Sequence, residues 1–228
     1  MKALAVIPAR GGSKRLPRKN ILRFRGRPII AYTIEAALKA DCFERVIVST
    51  EDAEIAAVAA SCGAQVSMRP GELATDTARV VQVCRHVLAE EEGEGRTYNV
   101  LCCLYATAPL RNAADIRSTM ALLQPGRCDF AMAVTGYSFP PHQALRPDSN
   151  GVLHPVWPEM LSKQSQEVGA MLVDNGSTYA VSVPAFLEAN TFYGPSLKGY
   201  LMPRIRSVDI DEQEDFALAE LFAQGGGL

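Results

Sequence analysis

Ala3-Leu4-Ala5-Val6-Ile7 runs directly into Pro8-Ala9-Arg10-Gly11-Gly12-Ser13-Lys14-Arg15-Leu16-Pro17-Arg18-Lys19-Asn20, an apolar run that opens onto a cationic glycine turn. Five apolar residues stopped by Pro8 have the length of one strand, too short for a membrane span or the core of a signal peptide. Behind them stand two adjacent glycines and the cations Arg10, Lys14, Arg15, Arg18, Lys19 and, just beyond, Arg23. Adjacent glycines leave backbone N–H groups unobstructed, so that they can converge on a phosphate oxygen while the cations neutralise its charge. The pattern predicts a triphosphate site. It has neither the Walker spacing, Gly, four residues, then Gly-Lys-Ser/Thr, nor the GxGxxG spacing of a dinucleotide turn.

Outward from this loop, short β-rich runs alternate with longer stretches of helical period, the pattern of a parallel sheet covered by helices on both faces. Strands are expected at 3–7, 45–48, 65–68, 100–104 and 130–134. Between them, Ile30, Ile34, Ala37 and Leu38 mark one helix face, and Ile55, Val58, Ala59 and Cys62 a second, with Thr50 or Asp52 placed to cap its start. Val80, Val83, Cys84 and Val87 mark a third, and Ile116, Met120 and Leu123 a fourth. Right-handed crossovers then build an α/β fold with a doubly wound, mostly parallel sheet whose carboxyl-end loops share one edge, where a ligand belongs.

Residues 136–172 break this rhythm with Pro140, Pro141, Pro147, Pro155 and Pro158 and a turn at Asn150-Gly151, and read as an inserted hairpin arm. The nucleotide-binding α/β domain then comprises 1–135 and 173–228. The arm has too few apolar residues for a core of its own and is suited to burying them against a second subunit, as a homodimer. Further strands are expected at 178–183 and 206–210, and a helix over about 212–223.

With 228 residues, 48% hydrophobic and 21% charged, the chain can bury one sizeable core. A net charge of -2 gives no general attraction to nucleic acid or an anionic membrane. Cys42, Cys62, Cys84, Cys102, Cys103 and Cys128 show no CxxC or Cys/His ligand spacing and read as reduced core residues in a cytoplasmic protein.

Asp209 and Asp211, two apart on the expected strand, would project from one face just before the last helix. Two carboxylates that close oppose each other's ionisation unless a cation lies between them, and a divalent metal resolves the conflict.

The first loop resembles the signature of the cytidylyltransferases that activate acidic sugars, the CMP-acylneuraminate synthetase family. Ser49-Thr50-Glu51 resembles the family's Ser-Thr-Asp, and Arg69-Pro70-Gly71-Glu72-Leu73-Ala74-Thr75-Asp76-Thr77 its nucleotide loop. Ala106-Thr107-Ala108-Pro109-Leu110-Arg111 resembles its Pro-Thr-Ser-Pro-Leu-Arg, Asn175-Gly176-Ser177-Thr178-Tyr179 its Asn-Gly-Ala-Ile-Tyr, and Asp209-Ile210-Asp211 its Asp-Ile-Asp. The likeness runs from about residue 3 to residue 220 in unbroken order. It implies a Rossmann-like nucleotidyltransferase fold and attack by the anomeric hydroxyl of an acidic nine-carbon sugar on the α-phosphorus of CTP, releasing pyrophosphate.

By that resemblance, Arg10, the Gly11-Gly12-Ser13 backbone and Lys19 hold the triphosphate, and Asp209 and Asp211 hold Mg²⁺, so that Asp211, Asp209, Lys19 and Arg10 form the catalytic group. The base remains open between Asp211, Asp209 and a metal-bound water. Asn20, Arg69 and the backbone near Ala78 surround the cytidine, with Asp76 holding that loop. Val80 stands where sialic-acid members carry a serine that helps read the base, which leaves the choice of CTP over UTP to backbone groups.

The sugar side comprises Tyr105, His142, Gln166, Tyr179, Phe192 and Tyr193. Tyr105 replaces a glutamine of sialic-acid members and, with Phe139-Pro140, Ala144-Leu145, Trp157-Pro158-Glu159 and Ser165-Gln166, is more like the pseudaminic-acid branch. An aromatic there suits a deoxygenated sugar with a methyl terminus, which would leave a polar reader unpaired. Two departures stand against this likeness. Gln164 replaces the branch's arginine, leaving Lys163, Arg146 or His142 for the substrate carboxylate, and Val173-Asp174-Asn175-Gly176 replaces its His-Asp-Ala-Gly. The rival expectations are a cytidylyltransferase for the eight-carbon acid Kdo and a non-catalytic CTP-binding regulatory module, which could dispense with the aspartate pair.

Overall fold

The computed structural model describes residues 1–225 except Asp76 and Gln164. Its elements in order are β1 (Ala3–Pro8), β2 (Arg23–Phe24), β3 (Arg27–Pro28), α1 (Ile29–Ala40), β4 (Arg45–Thr50), α2 (Ala53–Ser61), β5 (Gln65–Met68), α3 (Val80–Gly93), β6 (Val100–Leu104), α4 (Ala113–Met120) and β7 (Phe130–Gly136). They continue with β8 (Leu145–Pro147), β9 (Leu153–Pro155), α5 (Ser165–Val168), β10 (Leu172–Ser182), α6 (Val183–Ala189), β11 (Lys198–Leu201) and α7 (Gln213–Gln224). Seven strands form the main sheet in the order β11-β7-β10-β6-β1-β4-β5. Every pairing is parallel except that of β10, which runs antiparallel to both β6 and β7. The sheet is therefore mostly parallel, and six of its seven strands, all but β11, lie where the sequence predicts a strand.

Alternation along the strands divides the core between the two faces. Ala3, Ala5 and Ile7 pack with Ile30, Ile34 and Ala37 of α1, while Leu4 and Val6 pack with Cys84 and Val87 of α3. Cys102 belongs to the first layer and Cys103 to the second, so the adjacent cysteines face opposite sides, and all six are free thiols. Asp52 caps α2, its side chain accepting from the amides of Glu54 and Ile55.

A third apolar cluster joins the two ends of the chain. Leu16 of the first loop packs with Phe24, Ile29 and Leu110, and with Val208, Ile210, Phe216 and Ala219 from the approach to α7 and the helix itself. Complete burial of Ile210 contributes about 1.5–3 kcal/mol. This burial draws the residues on either side of Ile210 to the carboxyl edge of the sheet, beside the first loop.

Two local expectations are corrected. Residues 206–210 are not a strand: Arg204–Arg206 is a 3₁₀ turn, and 207–211 is irregular. The edge position beside β7 is taken instead by β11, and Pro203, which has no N–H, follows it closely. The strand expected at 178–183 is longer, starting at Leu172, while Val183 begins α6, where Pro184 fits the first helical turn. Within 136–172, β8 and β9 pair as an antiparallel hairpin. Its turn is held by Asp148, whose Oδ1 accepts from the amides of Asn150 (2.8 Å) and Val152 (3.0 Å).

Candidate active site

The loop after β1 and the segment before α7 meet across one cleft. A volume of about 300 Å³ is lined by Arg10, Lys19, Asn20, Arg69, Ala78, Val80, Tyr105, Thr107, Asp209 and Asp211, among others. An adjoining space of about 240 Å³ is lined by Ser13, Lys14, Arg15 and Leu16, and shares Arg10, Lys19 and Asp211 with the first. One side is strongly cationic. The other is lined by Val80, Val83 and Tyr105, of a size and polarity suited to a base.

Asp211 carries the direct link between the two ends. Its Oδ1 accepts from Lys19 Nζ at 2.5 Å and its Oδ2 from Arg15 Nη2 at 2.5 Å. Burial works against its ionisation, but the hydrogen bonds and charges of Lys19 and Arg15 prevail and hold its carboxyl below the usual range. Asp209 differs. It is more deeply placed, and burial, reinforced by the charge of Asp211, pushes its carboxyl up to about 6 against the hydrogen bond from Thr107 Oγ1 at 2.5 Å. Ile210 between them donates its amide to Thr107 O at 2.9 Å and points its side chain into the core. Local alternation thus turns both aspartates to the cleft without a sheet ladder.

Gly176 completes the seat of Asp209. Its φ of 67° lies in the left-handed region, and a Cβ there would stand 2.4 Å from Asp209 Oδ2, so only glycine fits on both counts. Arg111, wholly buried, donates through Nη1 to Ser177 O at 2.6 Å and Tyr105 O at 3.3 Å, which ties β6 to the same bulge of β10. Burial lowers its pKa to about 10. Fully buried Asp115 accepts from Arg206 Nε and Nη2 (3.0 and 2.7 Å) and from Tyr200 OH (3.0 Å), pinning the turn that leads into Asp209.

Gly11 N–H donates to Glu51 Oε1 at 2.8 Å and Ser13 N–H to Gly11 O at 3.1 Å, so these two amides are committed within the protein. Gly11 is needed for close approach, since a Cβ there would lie 2.4 Å from Asp52 Oδ2. Glu51 Oε2 also accepts from Arg69 Nη2 (2.8 Å) and Nε (3.1 Å). One carboxylate therefore sets both the triphosphate loop and the nucleoside-side arginine, a role the local sequence pattern did not reveal, although Glu51 ends the Ser-Thr-Glu motif.

Tyr105, Tyr179 and Phe192 form a row, with successive ring centroids 5.3 and 5.4 Å apart, running away from the cleft. Tyr193 follows at the surface. His142 is buried in a 3₁₀ turn and Gln166 is exposed on α5, and neither lines the cleft; nor do Arg146 and Lys163. Asp76 and Gln164 lie outside the described residues.

A cytidylyltransferase family profile matches residues 4–154. The chain is 33% identical over 222 residues to a pseudaminic acid cytidylyltransferase of Campylobacter jejuni subsp. jejuni, covering 97% of this chain and 96% of that one. It is 36% identical over 227 residues to a CMP-N,N'-diacetyllegionaminic acid synthase of Legionella pneumophila, covering 96% and 95%. Among solved structures, a CMP:2-keto-3-deoxy-manno-octonic acid synthetase complexed with CTP superposes with a TM-score of 0.71 over 99% of both chains at 17% identity, a likeness of fold.

Proposed function

The chain belongs to the cytidylyltransferase family, and from that premise we propose that it transfers CMP from CTP to the anomeric hydroxyl of an acidic nine-carbon sugar, with pseudaminic acid the preferred acceptor. The sugar oxygen forms a bond to the α-phosphorus, the α–β phosphoanhydride bond breaks, and pyrophosphate leaves. The observation that carries this reading is the meeting of Lys19 and Arg15 with Asp211 at the mouth of a base-sized cleft. Lys19, Arg15 and Arg10 bind and orient the triphosphate, and their charge offsets the negative charge that builds up on the transferring phosphate. Asn20, Arg69 and Ala78 frame the nucleoside end. Both aspartates line the cleft, which disfavours a binding module without catalysis.

Mg²⁺ fits these residues as part of the proposal. Asp209 and Asp211 offer only carboxylate oxygens, and among the described residues no group of three or more His, Cys, Asp or Glu side chains could hold a metal alone. Two carboxylates, with phosphate oxygens and water for the remaining positions, are the donor set that Mg²⁺ accepts. When bound there it would supply a positive charge to the phosphate oxygens.

Tyr105 at the cleft and the aromatic row behind it support a deoxygenated, methyl-bearing sugar over one read by an amide. The test is incubation with CTP, Mg²⁺ and separate pseudaminic, legionaminic, sialic and Kdo acids, with products weighed by mass spectrometry. CMP-pseudaminate as the main product is expected. Product from Kdo alone would overturn the acceptor assignment.

The homodimer belongs to the same proposal. Phe139 is 84% exposed and Leu145, Leu153, Trp157 and Leu161 of the arm are also exposed, an apolar surface that a two-stranded hairpin has no means of burying itself. Dimers are expected in sedimentation velocity, and the paired substitution Leu145→Glu with Leu153→Glu should yield monomers; a dimer that persists would reject the arm as the interface. No helix among the described residues is long and apolar enough to cross a membrane. The six free thiols, four of them buried, support placement in the reducing cytoplasm.

A further inference from the structure

Asp209 and Asp211 share one cleft, yet their hydrogen-bond donors differ in kind. Asp211 is held by two cations, Lys19 Nζ and Arg15 Nη2, each at 2.5 Å. Asp209 is held by a neutral group, its Oδ1 accepting from Thr107 Oγ1 at 2.5 Å. The backbone of Thr107 takes part as well, since its carbonyl accepts from the amide of Ile210 at 2.9 Å. One residue in the turn after β6 thus fixes the aspartate by its side chain and the next residue by its main chain. Thr107 is 6% exposed and still lines the cleft, between Tyr105 and the two aspartates. The chain leading to it is anchored from below, where Tyr105 O accepts from Arg111 Nη1 and from Thr33 Oγ1 of α1, both at 3.3 Å.

The kind of donor matters to a metal ion. A lysine or arginine on Asp209 would orient the carboxylate and at the same time cancel the charge that a cation seeks. A threonine hydroxyl has one proton to give and no charge, so it orients the group and leaves its charge intact. The second oxygen is treated differently. Oδ2 faces Gly176, where a Cβ would stand 2.4 Å away, and the missing side chain keeps that oxygen uncovered. One oxygen tied and one left open is how outer hydrogen bonds orient a metal-binding carboxylate.

We propose that Thr107 is a positioning residue for the divalent cation: its hydroxyl holds Asp209 by Oδ1, so that Oδ2 and the full carboxylate charge are offered to Mg²⁺ on the nucleotide. This rests on the reading above that the two aspartates hold Mg²⁺. It gives them unequal parts. Asp209 is preset in the resting site, whereas Asp211 becomes available once the triphosphate draws Lys19 and Arg15 away from it.

The test compares the parent with Thr107→Ser, Thr107→Ala and Thr107→Val. Mn²⁺ is titrated into the CTP complex and followed by electron paramagnetic resonance, with protein in excess so that all the CTP is bound, and the Mg²⁺ dependence of pyrophosphate release is measured beside it. Alanine and valine should weaken Mn²⁺ binding about 10–100-fold and raise the Mg²⁺ concentration for half-maximal rate in step, whereas serine, which keeps the hydroxyl, should stay within about threefold of the parent. Serine and alanine differ by that hydroxyl alone, so this pair decides the matter if valine disturbs the packing. Equal Mn²⁺ affinity in the serine and alanine variants, or a slower rate with no change in Mn²⁺ affinity or Mg²⁺ requirement, would overturn the proposal. A parent whose CTP complex holds Mn²⁺ no more tightly than free CTP does would instead refute the metal reading beneath it.

Discussion

Asp211→Asn is expected to lower CMP-sugar formation by about a hundredfold or more while CTP binding stays equal or tightens. The two halves of this expectation have separate causes. In the resting site, both oxygens of Asp211 hold the cations that the triphosphate needs, Lys19 and Arg15. Removing the anion frees those cations, so a polyanionic ligand meets less competition. The same change deletes a carboxylate from the place where charge on the phosphate must be balanced, and turnover falls. Folding should be little affected, since Arg15 is well exposed and surface ion pairs contribute little to stability. Calorimetric titration with CTP and a pyrophosphate release assay separate the effects. Turnover at the parent's rate would remove Asp211 from the chemistry, and loss of CTP binding in step with turnover would show that it only shapes the pocket.

Asp209→Asn should produce the opposite trade, a more stable protein that makes almost no product. The carboxyl of Asp209 ionises at about 6 in the fold, above its value in an unfolded chain. The native state then binds that proton more tightly than the unfolded state, so stability falls as pH rises from about 4 to about 6 and stays level above. Each unit is worth about 1.4 kcal/mol, giving a cost of a few kcal/mol at neutral pH. Asparagine has the same shape, still accepts from Thr107 and carries no charge. Urea unfolding should show the variant about 1–3 kcal/mol more stable than the parent near pH 8, with the gap closing near pH 4. A variant that is less stable than the parent at pH 8 would show that the burial of this charge costs nothing.

Much of the sheet was legible locally. Gln65–Met68 and Val100–Leu104 have the expected bounds, because short β-branched or apolar runs between turn signals leave little choice. β11 was missed: Lys198-Gly199-Tyr200-Leu201 has four residues, a glycine and an edge position, and its pairing with β7 is set across more than sixty residues of chain. The aspartate pair was placed on one face by an alternation that assumed a strand. The alternation holds, but burial of Ile210 enforces it in an irregular segment. Glu51 with Arg69, and Asp115 with Arg206, left no periodic trace because each pair joins elements distant in the chain. The glycine turn was located correctly, whereas its amide bonding depended on Glu51, forty positions away.

β10 carries a further consequence. Its kink between Asp174 and Tyr179 supports the aromatic wall from one side and, through Gly176, the bed of Asp209 from the other. A substitution that slides this strand would therefore shift acceptor recognition and phosphate chemistry together, with no means of tuning one alone. Efforts to broaden the acceptor range by directed evolution would do best to leave the strand untouched and diversify the neighbouring 190–194 loop, where altered side chains can reshape the wall while the reacting groups keep their places.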